Sequence, residues 1–533
     1  MLPLKTILKV GTILGEGVRN YTVEKVTNEA IYLRGHPDAQ RGEKGNRKGA
    51  LRIIPTVVIE DILHGLESKV ITLDDIVRKR GNEKTDDLFS LLGVDHDKFI
   101  LGYDSTIYKI CELCFNNATD TSIRCNSAIS TNTLPKPFLL LAGISGTGKT
   151  RFVREQASAH YSGDLSNYCL IPVRPDWHEP SDLLGYISRI GQGGSRYVVT
   201  DLLRFVSKVW QDAWASATAE ELVCKAPADM TPYWLCLDEM NLAPVEQYFA
   251  DYLSILETRK WQDGSYHCDP LLKSDTIKQL DSAGQQALRA DLQLDDVLFD
   301  DLWNYFVNVG IPLPPNLIVA GTVNMDETTH GFSRKVIDRA FTMDFGVFYP
   351  NNFADYFEPA TRPKTLGFPV LSQVTKVDLD TVFSDKDGAK SIAFLNAINI
   401  VLKGTPFELA YRALNELLLA VVCFNPKNET ELQAVWDDFL MSKVLPRIDG
   451  DTEKLKPIGD DGKLQANDDD SSLLTQLLAV IELQFSVIWS KERPDLLRDN
   501  INKNVLEVDC RAKQKLDWMQ KRLADNSFTT FWP

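Results

Sequence analysis

The sequence predicts an α/β protein in which helices cover both faces of a parallel sheet, with a small α+β domain before it and a helical region after it. Short apolar strands alternate with helical patterns between residues 137 and 349, which is typical of a parallel sheet. Apolar and polar residues alternate like β-structure between Tyr21 and Leu33, and apolar residues recur at helical spacing after residue 350. We therefore expect an N-terminal α+β recognition or adaptor domain at 1–104, a large α/β domain at 105–350 and a helical domain at 351–533.

Composition and charge exclude several protein classes. The 533 residues are 44% apolar and 25% charged with a net charge of −16, which is ordinary for a globular chain and excludes collagen-like, disordered and disulfide-scaffold proteins. No apolar run approaches the roughly 18–20 residues of a membrane span, and the N-terminus lacks the apolar core of a signal peptide. We expect a cytoplasmic protein with no membrane contact, in which the nine cysteines are reduced thiols.

The charge is uneven along the chain. Residues 1–52 hold ten Lys or Arg and five acidic residues, so the remainder carries a net charge of −21. A basic N-terminal module could contact nucleic acid through phosphate neutralisation. More than half of its excess lies between Arg41 and Lys48, however, which fits a solvated loop equally well. Both interpretations stay open.

The helical domain is predicted from five segments in which apolar residues recur at helical spacing, separated at one point by a polar segment. Asp-rich sequence between Asp449 and Ser472 predicts a mobile loop. The predicted helices span 393–402, 410–423, 431–445, 473–489 and 513–523.

A glycine-rich segment follows the first predicted strand of the α/β domain. The strand 138–142 runs into Gly-Ile-Ser-Gly-Thr-Gly-Lys-Thr at 143–150, and a helical pattern follows at 151–160. This spacing, between a strand and a helix, is typical of a phosphate-binding loop. Its backbone amides would face phosphate oxygens, Lys149 would reach the β- and γ-phosphates, and the Thr150 hydroxyl would ligate Mg²⁺. The expected nucleotide-binding residues here are Gly143, Ser145, Gly146, Thr147, Gly148, Lys149 and Thr150.

Two further strands end in polar residues suited to the same chemistry. Strand 233–237 leads to Asp238, which would hold Mg²⁺ through water, and to Glu239, which would orient or deprotonate the attacking water. Strand 316–320 leads to Asn324, whose amide could reach the γ-phosphate side of the nucleotide or could merely cap the next turn. We expect a triphosphate site with Thr150 and Asp238 on its metal side.

Together these elements resemble the AAA+ NTPases, and the amino-acid sequences of the motifs resemble those of the McrB family. The resemblance covers roughly residues 135–533 and leaves out residues 1–104. It rests on VRPDW at 173–177 with DLLGY at 182–186, CLDEMNLAPVE at 236–246, YFADYLS at 248–254, GTVNMDETTH at 321–330, KVLPR at 443–447 and SFTTFW at 527–532.

The resemblance implies a AAA+ core with an all-helical lid, acting as the motor subunit of a modification-dependent (type IV) restriction system. It implies a ring, expected to be a hexamer, that hydrolyses GTP or ATP and translocates DNA for an McrC-like nuclease in defence against phage. DNA would bind through the N-terminal domain or the pore. Met325-Asp326-Glu327 differs from the Thr-Ala-Asp form associated with the GTP-using member, so the base stays open.

Three roles carry over by position. Residues 333–339 match the segment that places an arginine finger on the neighbouring subunit's γ-phosphate; Arg339 is the first choice, Arg334 the second, and a structural ion pair the alternative. Arg412 matches a sensor 2 position that couples lid closure to nucleotide, with a solvent-facing arginine as the alternative. Residues 181–200 match a hairpin near the central pore.

Two other functions stay open. One is a MoxR- or midasin-like ATPase that remodels proteins, with the N-terminal domain as its client adaptor. The other is a nucleotide-gated switch or scaffold without turnover.

Overall fold

The structure is a computed structural model. It describes residues 132–160, 165–190, 194–262, 265–325, 331–355, 357–456, 472–502 and 505–532, together with four strands in the first 55 residues. The chain forms two compact units, Met1–Ser130 and Thr131–Pro533.

In the first unit the described residues form one antiparallel sheet. Its strands are β1 (Ile13–Leu14), β2 (Tyr21–Val26), β3 (Ala30–Gly35) and β4 (Leu51–Pro55), in that order across the sheet. The β-structure predicted for this region is confirmed at these strands, and the rest of the expected 1–104 domain lies outside the described residues.

The second unit is built on a five-stranded parallel sheet with the order β18-β6-β17-β12-β7. Its central strands are fully or almost fully buried, because helices cover both faces of a parallel sheet and leave no polar face. The α/β prediction is confirmed at this level. The strands are β6 (Phe138–Gly143), β7 (Tyr168–Pro172), β12 (Tyr233–Asp238), β17 (Leu317–Asn324) and β18 (Phe341–Asp344).

Helices and short hairpins surround this sheet. The hairpins are β8 (Gly185–Ser188) with β9 (Arg196–Val199), β10 (Trp214–Ala217) with β11 (Leu222–Cys224), and β13 (Lys260–Gln262) with β14 (Ser265–His267). A further antiparallel pair, β15 (Pro270–Lys273) with β16 (Gly310–Pro312), joins segments that are distant in sequence. The helices are α1 (Lys149–His160), α2 (Pro180–Leu184), α3 (Asp201–Ala213), α4 (Val245–Tyr248), α5 (Ala250–Leu256), α6 (Ser274–Lys278), α7 (Ser282–Asp291), α8 (Asp300–Asn308), α9 (Arg334–Ile337) and α10 (Phe345–Phe348).

The C-terminal part of the second unit is mainly helical. Its helices are α11 (Lys376–Leu379), α12 (Ala389–Leu402), α13 (Tyr411–Phe424), α14 (Glu429–Phe439), α15 (Leu473–Gln484) and α16 (Arg511–Asn526). Short strands lie between them: β19 (Thr361–Pro363) pairs with β23 (Arg498–Asn500), β20 (Leu366–Gly367) with β5 (Asn132–Thr133), β21 (Asp449–Asp451) with β25 (Phe528–Thr530), and β22 (Arg493–Pro494) with β24 (Glu507–Val508). The expectation of an all-helical region is therefore wrong in detail.

Three sequence predictions in this region need correction. The helix predicted to reach residue 445 is α-helical only to Phe439, and a π-helix at Leu440–Val444 and a 3₁₀ turn at Leu445–Arg447 continue it. The helix predicted to reach Trp489 ends at Gln484. The loop predicted from Asp449 starts as β21, because pairing with β25 satisfies its backbone groups.

A buried charge network fixes the C-terminal helices. The Arg493 guanidinium, fully buried, contacts Asp437 and Asp438 at the end of α14. Arg511, at the start of α16, contacts Asp438 and Asp495 at 2.7 Å each. Lys515 extends the connection to the sheet, because its ammonium lies 2.8 Å from Asp344 at the end of β18.

No helix in the described ranges is both long enough and apolar enough to cross a bilayer.

Candidate functional site

Polar side chains from three strands meet at the carboxyl edge of the parallel sheet. The segment Gly143–Thr150, here named the glycine loop, follows β6, Asp238 ends β12 and Asn324 ends β17. Asn324 pairs in register with Gly143 of the neighbouring strand, so the end of β17 lies beside the start of the glycine loop. β17 also pairs with β12, which brings the acidic residues to the other side of Asn324.

The glycine loop curls because two of its glycines adopt positive φ. Gly146 has φ 79° and Gly148 has φ 91°, a region that favours glycine. Helix α1 begins at Lys149, so the backbone N–H groups of its first turn lack partners within the helix. An anion placed against this turn would receive those hydrogen bonds.

The Lys149 side chain is folded back against the glycine loop. Only 5% of the residue is exposed, and its ammonium donates to the carbonyl oxygens of Gly143 at 3.0 Å and Ile144 at 2.7 Å. The Thr147 hydroxyl donates to the same Ile144 carbonyl at 3.0 Å. The lysine therefore places a positive charge within the loop, as the motif predicts.

Asp238 links the glycine loop to β17. Its Oδ1 accepts hydrogen bonds from the hydroxyls of Thr150 and Thr322, each at 2.7 Å. A threonine hydroxyl beside an aspartate oxygen is a donor set that suits Mg²⁺, which takes hard oxygen ligands and usually binds through one or two carboxylates plus phosphates and water. The residues predicted for the metal, Thr150 and Asp238, are thus in direct contact.

Glu239 adopts a backbone conformation unusual for its residue type. Its φ of 54° and ψ of 49° lie in the left-handed region, where a non-glycine residue costs of order 1–3 kcal/mol. Its backbone N–H donates to the Thr322 hydroxyl at 2.9 Å, and its Oε1 accepts from the Asn324 amide at 3.3 Å. The turn thus directs the carboxylate toward the end of β17.

Asn324 is held from its other side. The Asn241 amide, almost fully buried, donates to the Asn324 backbone carbonyl at 3.0 Å. Asn324 itself is 8% exposed and is therefore positioned by the folded core. Asn241 and Thr322 support the site, but neither was among the residues that the sequence predicted.

The Cys236 thiol lies on β12, two residues before Asp238. Burial is the main cause that raises the pKa of this thiol well above its usual value, and the neighbouring Asp238 charge adds to the shift. A neutral, buried thiol has the role of a small apolar side chain in the core.

Arg339 and Arg412, predicted for different roles, meet at one carboxylate. The Arg339 Nη2 lies 2.9 Å from Glu257 Oε2, and the Arg412 Nη2 lies 2.7 Å from Glu257 Oε1. The three residues line a cavity of about 420 Å³ together with Pro135 and Pro137, which precede β6. A six-residue strand spans roughly 20 Å, so this cavity is at the opposite end of β6 from the glycine loop.

The structure therefore does not bring Arg412 to the glycine loop of its own chain. Its guanidinium is half exposed and paired with Glu257, and its sensor 2 role stays a prediction. Arg339 is less exposed, at 19% of its side chain, and also donates to the Lys335 carbonyl at 3.1 Å.

Arg334 lies in different surroundings. Its guanidinium donates to the Pro406 carbonyl at 2.8 Å, lies 3.5 Å from Asp449 and sits 5.0 Å from the centre of the Phe407 ring. It lines a cavity of about 530 Å³ that also includes Asn324. Arg334 also lines a cavity of about 730 Å³ together with Arg339 and Arg412, so the two arginine-finger candidates share one cavity.

The predicted hairpin at 181–200 is confirmed as an antiparallel pair of β8 and β9. Ile190 is 92% exposed next to its tip, and residues 191–193 lie outside the described residues. Its location near a pore stays a prediction.

Comparison with known families gives one partial match. Residues 371–528 match a family described as a domain of unknown function, DUF8727, which spans less than a third of the chain and covers α11 to α16. No curated protein matches the chain. The fold and the site thus define an α/β protein with a parallel, Rossmann-like sheet and a constellation of lysine, threonine, carboxylate and amide groups at its carboxyl edge.

Proposed function

We propose that this chain is a nucleoside triphosphatase of the AAA+ type that resembles the McrB family. The observation that carries the proposal is the continuous hydrogen-bonded series from Thr150 through Asp238 and Thr322 to Glu239 and Asn324. This series joins the glycine loop to two neighbouring parallel strands, and Lys149 lies within the loop. Phosphoryl transfer to water requires such a group of residues, since its catalysis is mainly positioning and charge stabilisation.

Each residue has a defined task in hydrolysis. The glycine loop and the first turn of α1 bind the phosphates through backbone N–H groups. The Lys149 ammonium gives up its hydrogen bonds to the Gly143 and Ile144 carbonyl oxygens and donates to phosphate oxygens instead. Thr150 and Asp238 would hold Mg²⁺, which neutralises charge on the β- and γ-phosphate oxygens. Glu239 orients the attacking water and accepts its proton, and Asn324 fixes the carboxylate and the water. The purine base, guanine or adenine, stays open.

The location of Arg339 supports an oligomeric enzyme. It lies near the amino end of β6, whereas the glycine loop lies at the carboxyl end, so Arg339 can complete a site only on a neighbouring chain. A guanidinium placed on the transferred phosphoryl group contributes roughly 10³–10⁵-fold in related enzymes. We propose a closed ring, with six subunits as the expected number, in which Arg339 acts in trans.

The biological role proposed from the resemblance is DNA translocation for an McrC-like nuclease in antiviral restriction. DNA would contact the basic N-terminal region or the pore. The alternative function is protein remodelling. It is favoured by the net charge of −21 on residues 53–533, because an acidic surface repels nucleic acid.

The decisive experiment measures hydrolysis of Mg-ATP and Mg-GTP with and without double-stranded DNA and an McrC-like nuclease. We expect hydrolysis that Lys149→Ala abolishes together with nucleotide binding and that DNA or the nuclease stimulates. Arg204→Ala, which removes an exposed ion pair on α3, is the control and should behave as the wild type. Hydrolysis without any response to DNA or nuclease would favour protein remodelling, and the absence of hydrolysis would favour a nucleotide-gated switch.

A further inference from the structure

The backbone on both sides of Arg339 is held by buried ammonium groups. The Lys136 ammonium donates to the carbonyl oxygens of Asp338 and Ala340, each at 3.0 Å. The Lys443 ammonium donates to the Asp338 carbonyl at 2.9 Å. The peptide unit before Arg339 and the one after Ala340 are thereby held by side chains from distant parts of the sequence.

One carboxylate forms ion pairs with both ammonium groups. Glu416 Oε2 lies 2.7 Å from the Lys136 nitrogen and 2.8 Å from the Lys443 nitrogen. The side chains of Lys136, Glu416 and Lys443 are no more than 12% exposed. We name these three residues the lysine clamp.

Stability alone gives little reason for such a cluster. Removing ions from water costs several kcal/mol each, and apolar replacements of buried ion pairs are often neutral or stabilising. Two lysines that share one glutamate are a still more costly arrangement, because the two positive charges repel each other. Burial is the main cause that lowers the pKa of Lys136 to about 7, with Glu416 opposing the shift and the Lys443 charge contributing to it.

The backbone at Lys443 is also irregular. Lys443 lies on the π-helix at Leu440–Val444, and the following 3₁₀ turn carries Arg447, whose Nε lies 3.3 Å from Asp338 Oδ1. π-turns are rare and occur frequently at functional sites. This turn brings both cations of the Lys443-to-Arg447 motif to the residue before Arg339.

The lysine clamp also connects three functional elements. Lys136 lies two residues before β6, the strand that leads to the glycine loop. Glu416 lies one helical turn after Arg412 on α13. The clamp thus joins the root of the glycine-loop strand, the arginine-finger segment and the helix of the sensor 2 candidate.

We propose that Lys136, Glu416 and Lys443 are positioning residues that set the Arg339 guanidinium for its action on a neighbouring subunit, an inference that rests on the proposed role of Arg339. They touch no nucleotide and act through the peptide units beside Arg339. A misplacement of about 1 Å in a reacting group costs about 10²-fold in rate, so loosening this segment would impair hydrolysis without impairing nucleotide binding.

The test uses Lys443→Met, which keeps the side-chain volume and removes the charge, and Glu416→Gln, which keeps an acceptor for both lysines. We expect Lys443→Met to lower kcat for Mg-nucleotide hydrolysis about 10- to 100-fold with KM and nucleotide affinity unchanged, and Glu416→Gln to lower it less. Lys390→Met, which removes an exposed ion pair with Glu429, is the matched control and should leave kcat unchanged.

Mixed rings distinguish positioning from damage to the fold. A Lys443→Met subunit keeps an intact hydrolytic site, and a Glu239→Gln subunit keeps an intact finger. Mixing the two should therefore restore hydrolysis, as should mixing Arg339→Ala with Glu239→Gln. Restoration in both mixtures supports the lysine clamp as a positioning device.

Two outcomes overturn the inference. If the Arg339→Ala mixture regains activity and the Lys443→Met mixture stays silent, the clamp does not act through Arg339, while the proposed function stands. If the Arg339→Ala mixture is itself silent, the trans role of Arg339 fails and the inference fails with it.

Discussion

The side-chain amide of Asn324 donates to the Glu239 carboxylate across 3.3 Å and so connects the ends of β17 and β12. This contact restrains the carboxylate of a partly buried residue at the end of β12. Replacing Asn324 with alanine should therefore lower kcat and leave KM nearly unchanged, because the amide acts on the attacking water and not on nucleotide affinity. Steady-state kinetics with both nucleotides measure this, and a rise in KM alone would assign Asn324 to binding instead.

Glu239→Gln tests the proton acceptor directly. The amide keeps the side-chain shape but cannot accept the proton of the attacking water, so hydrolysis should fall about 10²- to 10⁴-fold while nucleotide still binds. The bound triphosphate should accumulate and stabilise the oligomer, which size-exclusion chromatography with light scattering detects. Glu482→Gln, at an exposed position on α15, is the matched control and should hydrolyse normally. Full activity in Glu239→Gln would remove the catalytic assignment.

Glu257 pairs with both Arg339 and Arg412. In the proposed trans mechanism, the γ-phosphate of a neighbouring subunit would have to displace this carboxylate before Arg339 could act. A partly exposed ion pair is worth about 0.2–1 kcal/mol, so Glu257→Gln should raise hydrolysis by up to about fivefold at limiting protein concentration. The activity of the double variant Glu257→Gln/Arg339→Ala should equal that of Arg339→Ala alone. A loss of activity in Glu257→Gln would show that this carboxylate positions the arginines.

The central site could be predicted from sequence because each of its parts is a local signal. Lys149 and Asp238 follow apolar strands, and the carboxyl ends of parallel strands meet at one edge, so their proximity follows from the fold class alone. Asn324 was predicted on the same basis, four residues beyond the strand end expected there. The strand in fact extends to Asn324 itself, so the predicted strand boundary was wrong, and the role of Asn324 stays a prediction.

Other parts of the site give no local signal. Thr322 is one hydroxyl within a buried apolar strand, and its link to Asp238 depends on strand order, which periodicity does not reveal. The pairing of Arg412 with Glu257 joins two distant segments, so the sequence pattern did not reveal it. The sequence pattern likewise does not predict the π-helix that carries Lys443, since the apolar spacing predicted a continuous α-helix through residue 445.

Lys136 should make stability depend on pH. Its pKa is about 7 in the folded chain, chiefly through burial, and about 10.5 when unfolded, so the unfolded chain binds an additional proton between these values. The free energy of unfolding therefore rises with pH across this window. Melting temperatures of the wild type relative to Lys136→Met should increase from pH 7 to pH 10. Glu416, Asp338 and Lys443 face position 136 in both proteins. A difference in melting temperature that does not change with pH would mean that Lys136 keeps its usual pKa.

The buried network around Arg493 should dominate the stability of the helical region. Arg493 is fully buried between Asp437 and Asp438, so Arg493→Met leaves two carboxylates without their shared cation in a region that water does not reach. Removing one partner of a buried ion pair costs about 3–5 kcal/mol, whereas an exposed pair such as Lys390 with Glu429 is worth at most about 1 kcal/mol. Urea unfolding of Arg493→Met and Lys390→Met, followed by tryptophan fluorescence, compares the two directly. Equal midpoints would mean that the Arg511 guanidinium satisfies Asp438 and that the backbone N–H groups of Arg511 and Ala512 satisfy Asp437 without Arg493.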